Sequence, residues 1–590
     1  MKIMNRILIL ISLSLILACT KKNPQPEGRY LHLPLKDNVK TSDPTNAYDV
    51  ISLEVVSQVY ETPYQYNYYA EKMEPIPNLA DGMPSISNGG KTYTLKIKKG
   101  VIFQNDPCFK EAAGKGRELK SHDFIYGWKR HANPATESQG FWIWDSKVVG
   151  INDFRKKFGK EKPAEEVMKE SVEGFTALDD YTIQIKLLKP YPQLVHILTM
   201  VFTAPVPKEA IEFYGKDFVN HPVGTGPFKV HSWEPTSRMV LVKNENYRKE
   251  IFPDLSKHPK HAHLARFSGK QLPLVDGLEF TVVKEEQPRW LGFLSGKFDQ
   301  IEIPKDNFKT AIESNKTEVT SDLKKKGIFV SIESAFSYWW VSMNMKDKVL
   351  GTNKYLRQAI VSAVDRKGWL ELFKNGRGSI QTEINPPSIS DRCGKTNPWT
   401  FDLDKAKKLM AKAGHPDGKG LAPLKWDTRG TTQSERQIAE FVAKNLNAIG
   451  IKIEVLVNTF PAYLDKQNKG NLQISKGGWV MDYPDAENSM QLLYGPNKAP
   501  GPNEANFDHP EYNKLYDQMA VLAPSSTRQG IICKMEKIIQ EEVPWAYVMY
   551  ETEYRLVQPW LNSYHAAELV LNKYKYIDLD EEKRTLFANK

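Results

Sequence analysis

The sequence predicts a large α/β protein, and three patterns of apolar residues carry that prediction. Ile51, Val55, Val56 and Val59 recur at helical spacing. Tyr93, Leu95 and Ile97 alternate with Thr and Lys, as do Tyr181, Ile183, Ile185 and Leu187, which is the period of half-buried strands. Ile438, Phe441, Val442, Leu446 and Ile449 form a helical stripe stopping at Gly450, and Ile451, Ile453 and Val455 continue at once with strand alternation. Helix and strand periods interleaved in this way point to α/β domains.

Taken in order, the chain starts with a basic stretch (Lys2, Arg6) and a short apolar core from Ile7 to Leu17. A membrane-spanning helix needs about 20 such residues to cross about 30 Å, so this core is too short to span. With Ala18-Cys19 after it, the segment resembles a bacterial lipoprotein signal, which implies cleavage after residue 18 and a diacylglyceryl anchor on Cys19. Two acyl chains are what stable attachment requires. Residues 19–27, with two prolines and two lysines, read as a flexible tether. The helix around Glu54 and the strands ending near Gly100 and Pro190 follow. Leu356, Ile360, Ala363 and Val364 mark another helix, and Ala406, Leu409, Met410 and Ala413 one more, with Gly414 placed at its C-terminal cap. The segment 248–272 departs in composition, with His258, His261 and His263 among lysines. No carboxylate or cysteine completes a ligand set, so it is expected to be an exposed insertion and not a metal site.

With 590 residues, 41% of them hydrophobic, two or three domains and a sizeable core are expected. The net charge of +10 falls to +8 when Lys2 and Arg6 leave with the signal. Lysines are spread along the chain without a basic cluster, so nucleic-acid binding is not indicated. Besides Cys19 there are Cys108, Cys393 and Cys533, enough for one disulfide at most, with the pairing left open. Without a CxxC, a thiolate metal centre is not expected.

The most informative stretch is Lys476-Gly477-Gly478-Trp479-Val480-Met481-Asp482-Tyr483-Pro484-Asp485. Alternating Leu472 and Ile474 lead into two glycines, whose missing Cβ atoms let another backbone approach. An indole and a lone carboxylate follow. An extended peptide with a free α-amine fits this order of groups. The alternatives are that Asp482 caps a turn or helix near Pro484, and that Trp479 is core.

Further motifs, all in order, resemble the large substrate-binding proteins of peptide-importing ABC transporters, extracellular solute-binding proteins of family 5, over essentially the whole mature chain. They are Asn78-Leu79-Ala80-Asp81-Gly82 with Lys99-Gly100-Val101-Ile102-Phe103; Lys120-Ser121-His122-Asp123-Phe124; and Gly224-Thr225-Gly226-Pro227-Phe228 with Trp233-Glu234-Pro235 and Asn244-Glu245-Asn246-Tyr247. Leu356-Arg357-Gln358-Ala359, Val364-Asp365-Arg366 and Phe401-Asp402-Leu403-Asp404 continue the series. The resemblance implies a two-lobed, type II periplasmic-binding-protein fold that closes like a flytrap, with an extra domain inserted in the first lobe. The expected ranges are 28–75, 205–334 and 543–590 for lobe 1, 76–204 for the insertion and 335–542 for lobe 2.

The resemblance also implies the site. Asp482 would pair with a peptide's α-ammonium, Gly477, Gly478 and Val480 would bond to its main chain as in strand addition, and Trp479 would be an aromatic wall. Lys476 would meet the ligand carboxylate as a point charge. Tyr48 and Val50 would line the cleft from the first lobe. Of Tyr338, Trp339 and Trp340, core is the expected place. Partners are short peptides, permease subunits and the membrane holding Cys19; a monomer without cofactor or metal is expected. The same fold in relatives takes nickel chelates, haem, oligosaccharides or opines, which is the alternative. An enzyme is disfavoured: there is no GxSxG and no HExxH, and Gly90-Lys91-Thr92 fails as a phosphate loop because Ser85 stands at its first glycine position.

Overall fold

A computed structural model describes residues 25–588 apart from 71, 163, 315, 390 and 395. The signal segment and Cys19 therefore lie outside the described residues. No helix among the described residues is long and apolar enough to cross a membrane.

The expected elements form where the apolar periods place them. Helices span Val50–Val59, Lys354–Ala363, Leu403–Lys412 and Gln433–Asn447, and strands Thr92–Lys96, Thr182–Lys186 and Ile453–Leu456. Gly414 and Gly450 take positive φ just beyond their helices, as a left-handed stop requires.

In the first lobe, strands Tyr30–Leu35, Gly277–Val282, Arg238–Lys243 and Phe228–Glu234 form one sheet in that order. A second, antiparallel sheet of Ser85–Ser87, Thr92–Lys96, Thr182–Lys186 and Phe175–Asp179 stands beside it. A continuous apolar core joins the two, running from Leu31, Leu241 and Phe280 to Tyr93, Leu95 and Ile185.

A third, seven-stranded sheet has two long members, Phe329–Met343 and Trp545–Val557. One end of this antiparallel pair, Phe329 to Ser334 against Thr552 to Val557, meets Gln300–Glu302 over a core of Ile301, Ile328, Tyr554 and Leu556. The other end carries Ile474–Val480, Leu424–Asp427 and Ile453–Leu456 over Val341, Met343, Ala546 and Val548. Between the ends the register shifts, so Ala335 to Ser337 face Glu551 alone. A bulge of this kind bends and twists a ribbon, and here it falls between the two ends of the long pair.

Cys393 and Cys533 form a disulfide within the second lobe, and Cys108 is a buried thiol. The segment 248–272 corrects one expectation. Lys249, Asp254, Lys257, Lys260, Arg266 and Lys270 are exposed, but Phe252, Leu255, Leu264, Phe267 and Leu272 pack with Tyr66, Tyr68 and Tyr69 in a small core of their own. Arg248 pairs with the buried Glu61, which anchors one end. The composition hid this because five apolar residues are scattered among lysines and histidines without a regular period.

Candidate functional site

The site grows from strand Ile474–Val480. One edge pairs with Phe329–Met343 along its whole length, whereas the other meets Leu424–Asp427 only at Ile474 and Ser475. Beyond Ser475 that second edge has no strand partner among the described residues. Met481 N–H donates to the Phe336 carbonyl, so by the alternation of an antiparallel ladder Lys476, Gly478 and Val480 turn their peptide groups to the open edge. The Lys476 carbonyl accepts there from the Tyr463 hydroxyl at 3.4 Å.

The two glycines have a cause that the sequence reading placed elsewhere. A Cβ on Gly478 would lie 2.3 Å from the Trp339 ring, and one on Gly477 2.2 Å from the Trp340 indole nitrogen. Their side-chain space is filled by the neighbouring strand, so the approach they permit is that of two indoles. Tyr338 and Trp340 are core, whereas Trp339, on the opposite face, lines a cavity.

Past the strand the chain turns, and Asp485 caps the helix Ala486–Met490 while pairing with Arg528. The capping role weighed for Asp482 thus belongs to Asp485. Asp482 is held instead by Asn488, a fully buried side chain whose amide donates to Asp482 Oδ2 at 2.9 Å. The Asn488 oxygen accepts from the Asp482 N–H at 3.0 Å and from the Trp479 indole at 2.8 Å. Asp482 forms no ion pair among the described residues. Burial in the first place, and then the Glu487 charge, push its carboxyl up to about 7 against the lowering effect of Asn488.

Opposite stands the start of helix Val50–Val59, capped by Asp49 through the Ser52 N–H. Tyr48 stacks on Phe202. Burial raises its phenol first and the Asp482 charge second, and the two residues line the same cavity. Tyr48, Val50, Phe202, Trp479, Val480 and Asp482 line one cavity of about 300 Å³, closed along another side by Glu568 to Asn572. Val50, Val480, Glu568 and Leu571 also line a second cavity of about 500 Å³. The two valines are 59% and 41% exposed, so apolar side chains of both lobes are left facing this shared space.

Lys476 is not brought to either cavity. Its ammonium pairs with Glu435 and lies 5.1 Å from the Trp339 ring centre. Burial lowers its pKa despite that partner. Asn488 and Glu568 were missed by sequence reasoning. Asn488 lies in a short helix without a motif, and Glu568 reaches the cleft only through the fold of the C-terminal segment.

Comparison with known proteins decides the kinship. The family described as "Bacterial extracellular solute-binding proteins, family 5 Middle" matches residues 74–501. The chain belongs to this family. Among curated relatives of this solute-binding protein are Heme-binding protein A of Haemophilus influenzae and Periplasmic oligopeptide-binding protein OppA of Salmonella typhimurium. The first is 23% identical, over 89% of this chain and 87% of the relative; the second is 23% identical, over 78% of each. A solved structure of DppA from Helicobacter pylori, in complex with the peptide STSA, matches with a TM-score of 0.73 at 21% identity, covering 93% of this chain and 98% of that one. The fold is that of the type II periplasmic binding proteins, with two lobes around a cleft.

Proposed function

We propose that this chain is the substrate-binding component of an ABC importer, which captures oligopeptides between its lobes and hands them to a membrane permease. The observation that carries this is Asp482, a half-buried carboxylate with no ion pair among the described residues, at the end of a strand whose outer edge has no strand partner beyond Ser475 among those residues. A peptide laid along that edge would bond to Gly478 and Val480 whatever its side chains and bring its α-ammonium to Asp482. Tyr48, Val50 and Trp479 would enclose it. Lys476, held by Glu435, is left out of this reading; a ligand carboxylate would have to displace that partner.

The lobe ranges 28–75, 205–334 and 543–590, 76–204, and 335–542 belong to the same proposal, as do a monomeric state and a lipid anchor at Cys19. In support, the sheet strands 85–186 fall within the range proposed for the insertion. Solute binding needs no covalent step: the ligand favours the closed form by touching both lobes.

Two measurements test this. Mass spectrometry of solute released on denaturation should give short peptides of mixed sequence; a single defined compound such as haem would replace the ligand and keep the fold. Asp482→Asn should weaken a free-amine peptide by about 1.5–3 kcal/mol, and N-acetylation should weaken binding to the parent comparably. Equal binding of acetylated and free peptides removes Asp482 from the role.

A further inference from the structure

The smaller cavity holds one carboxylate more than an α-ammonium accounts for. Three acidic side chains line it: Asp482, Glu61 and Glu568. Glu61 is matched by Arg248. Glu568 has no ion-pair partner among the described residues; one of its oxygens takes the Phe336 N–H, and the charges that act on it most are those of other acids, Glu553, Glu333 and Glu551. Burial first, and those acids next, push its carboxyl up to about 7.

The cations nearby are engaged elsewhere. Lys374 pairs with Glu551 and Arg555 with Glu553. Lys573, on the same segment as Glu568, donates to the Ala567 carbonyl at 3.4 Å. No lysine, arginine or histidine lines the smaller cavity among the described residues. Asp482 is held by Asn488 and Glu568 by the Phe336 N–H, and of the two only Glu568 also lines the larger cavity, so they are two carboxylates on different supports in one space. A ligand with a single positive charge leaves one of these half-buried carboxylates without a counter-charge, which is unfavourable.

We propose that Glu568 is a subsite for a second positive charge, so that the preferred peptides carry a lysine or arginine side chain within their first two residues. This rests on the peptide reading above, in which the α-ammonium takes Asp482. Glu568 also grips the N–H of Phe336, inside the bulge between the two ends of the long pair.

The test is titration calorimetry at pH 7.5 on the protein freed of co-purified solute. The probes are alanine tetrapeptides with lysine at position 1 or 2 and their norleucine counterparts, which keep the chain and remove the charge. The lysine peptide of at least one pair should bind about tenfold tighter or more. That advantage should vanish in Glu568→Gln, where the amide oxygen still accepts from Phe336. Equal binding of both pairs by the parent protein, or an advantage that survives in Glu568→Gln, overturns the subsite and leaves the peptide reading standing. Failure of every peptide to bind, or binding of cadaverine as tight as that of the peptides, overturns both.

Discussion

Asp482 ties binding to pH in a direction that can be worked out. Its carboxyl titrates near 7 in the empty protein and near 4 in an unfolded chain. A raised acid contributes stability that is full below about 4 and lost as pH rises through about 7. Asp482→Asn should therefore raise the melting temperature of the empty protein at pH 8 and leave it unchanged at pH 4; a gain of the same size at both values would contradict the assignment. A free-amine peptide should behave oppositely. It needs the ionised carboxylate, so its affinity should fall about tenfold per unit below pH 7. Calorimetry across pH 5 to 8 measures this. At this scale the sequence was partly legible. Asp482 and Trp479 stand in a short stretch of unusual composition, and both line the cavity. Asn488 and Glu568 were not legible, because each acquires its neighbours through folding: Asn488 by a helix that turns back on the strand, Glu568 by a segment 232 residues from Phe336.

Elements were the most readable part, because apolar period is a local property. The helix Val50–Val59 and the strand Ile474–Val480 lie where Ile51 to Val59 and Leu472 to Ile474 suggested. What the period could not supply was the partner across each strand. Gly477 and Gly478 were read as space for a ligand backbone, whereas the register Gly477 to Trp340 and Gly478 to Trp339 gives that space to indoles. Such pairing is set by the sheet and leaves no mark within either strand. It yields its own expectation. Gly478→Ala would place a methyl 2.3 Å from the Trp339 ring and should lose about 1–3 kcal/mol of stability by overpacking. Urea denaturation measures that loss; an unchanged midpoint would show that Trp339 yields freely.

At the scale of the whole molecule, the range 76–204 proposed for the insertion touches the range 335–542 proposed for lobe 2 outside the cavities. Tyr191 reaches Glu487 at 3.3 Å, and His196 stacks on Tyr483. A closed arrangement is thus compatible with this packing, and ligand should shift the population toward it. Small-angle scattering should record a smaller radius of gyration with peptide than without. The disulfide Cys393–Cys533 closes 140 residues within one lobe. Replacing both cysteines by serine should lower stability by about 3–5 kcal/mol with peptide affinity retained, as neither cysteine lines a cavity. The two long strands have another consequence, for truncated chains. Trp545–Val557 comes late in the sequence yet is an interior strand of the large sheet, between Gln300–Glu302 and Phe329–Met343. After it, Arg584 bonds to the Tyr30 carbonyl and pairs with Asp299, so the final helix pins the first strand. Without the residues from Trp545 onward, Phe329–Met343 loses its longest strand partner and the cavity loses its wall of Glu568 to Asn572; without Arg584, Tyr30 loses that fastening.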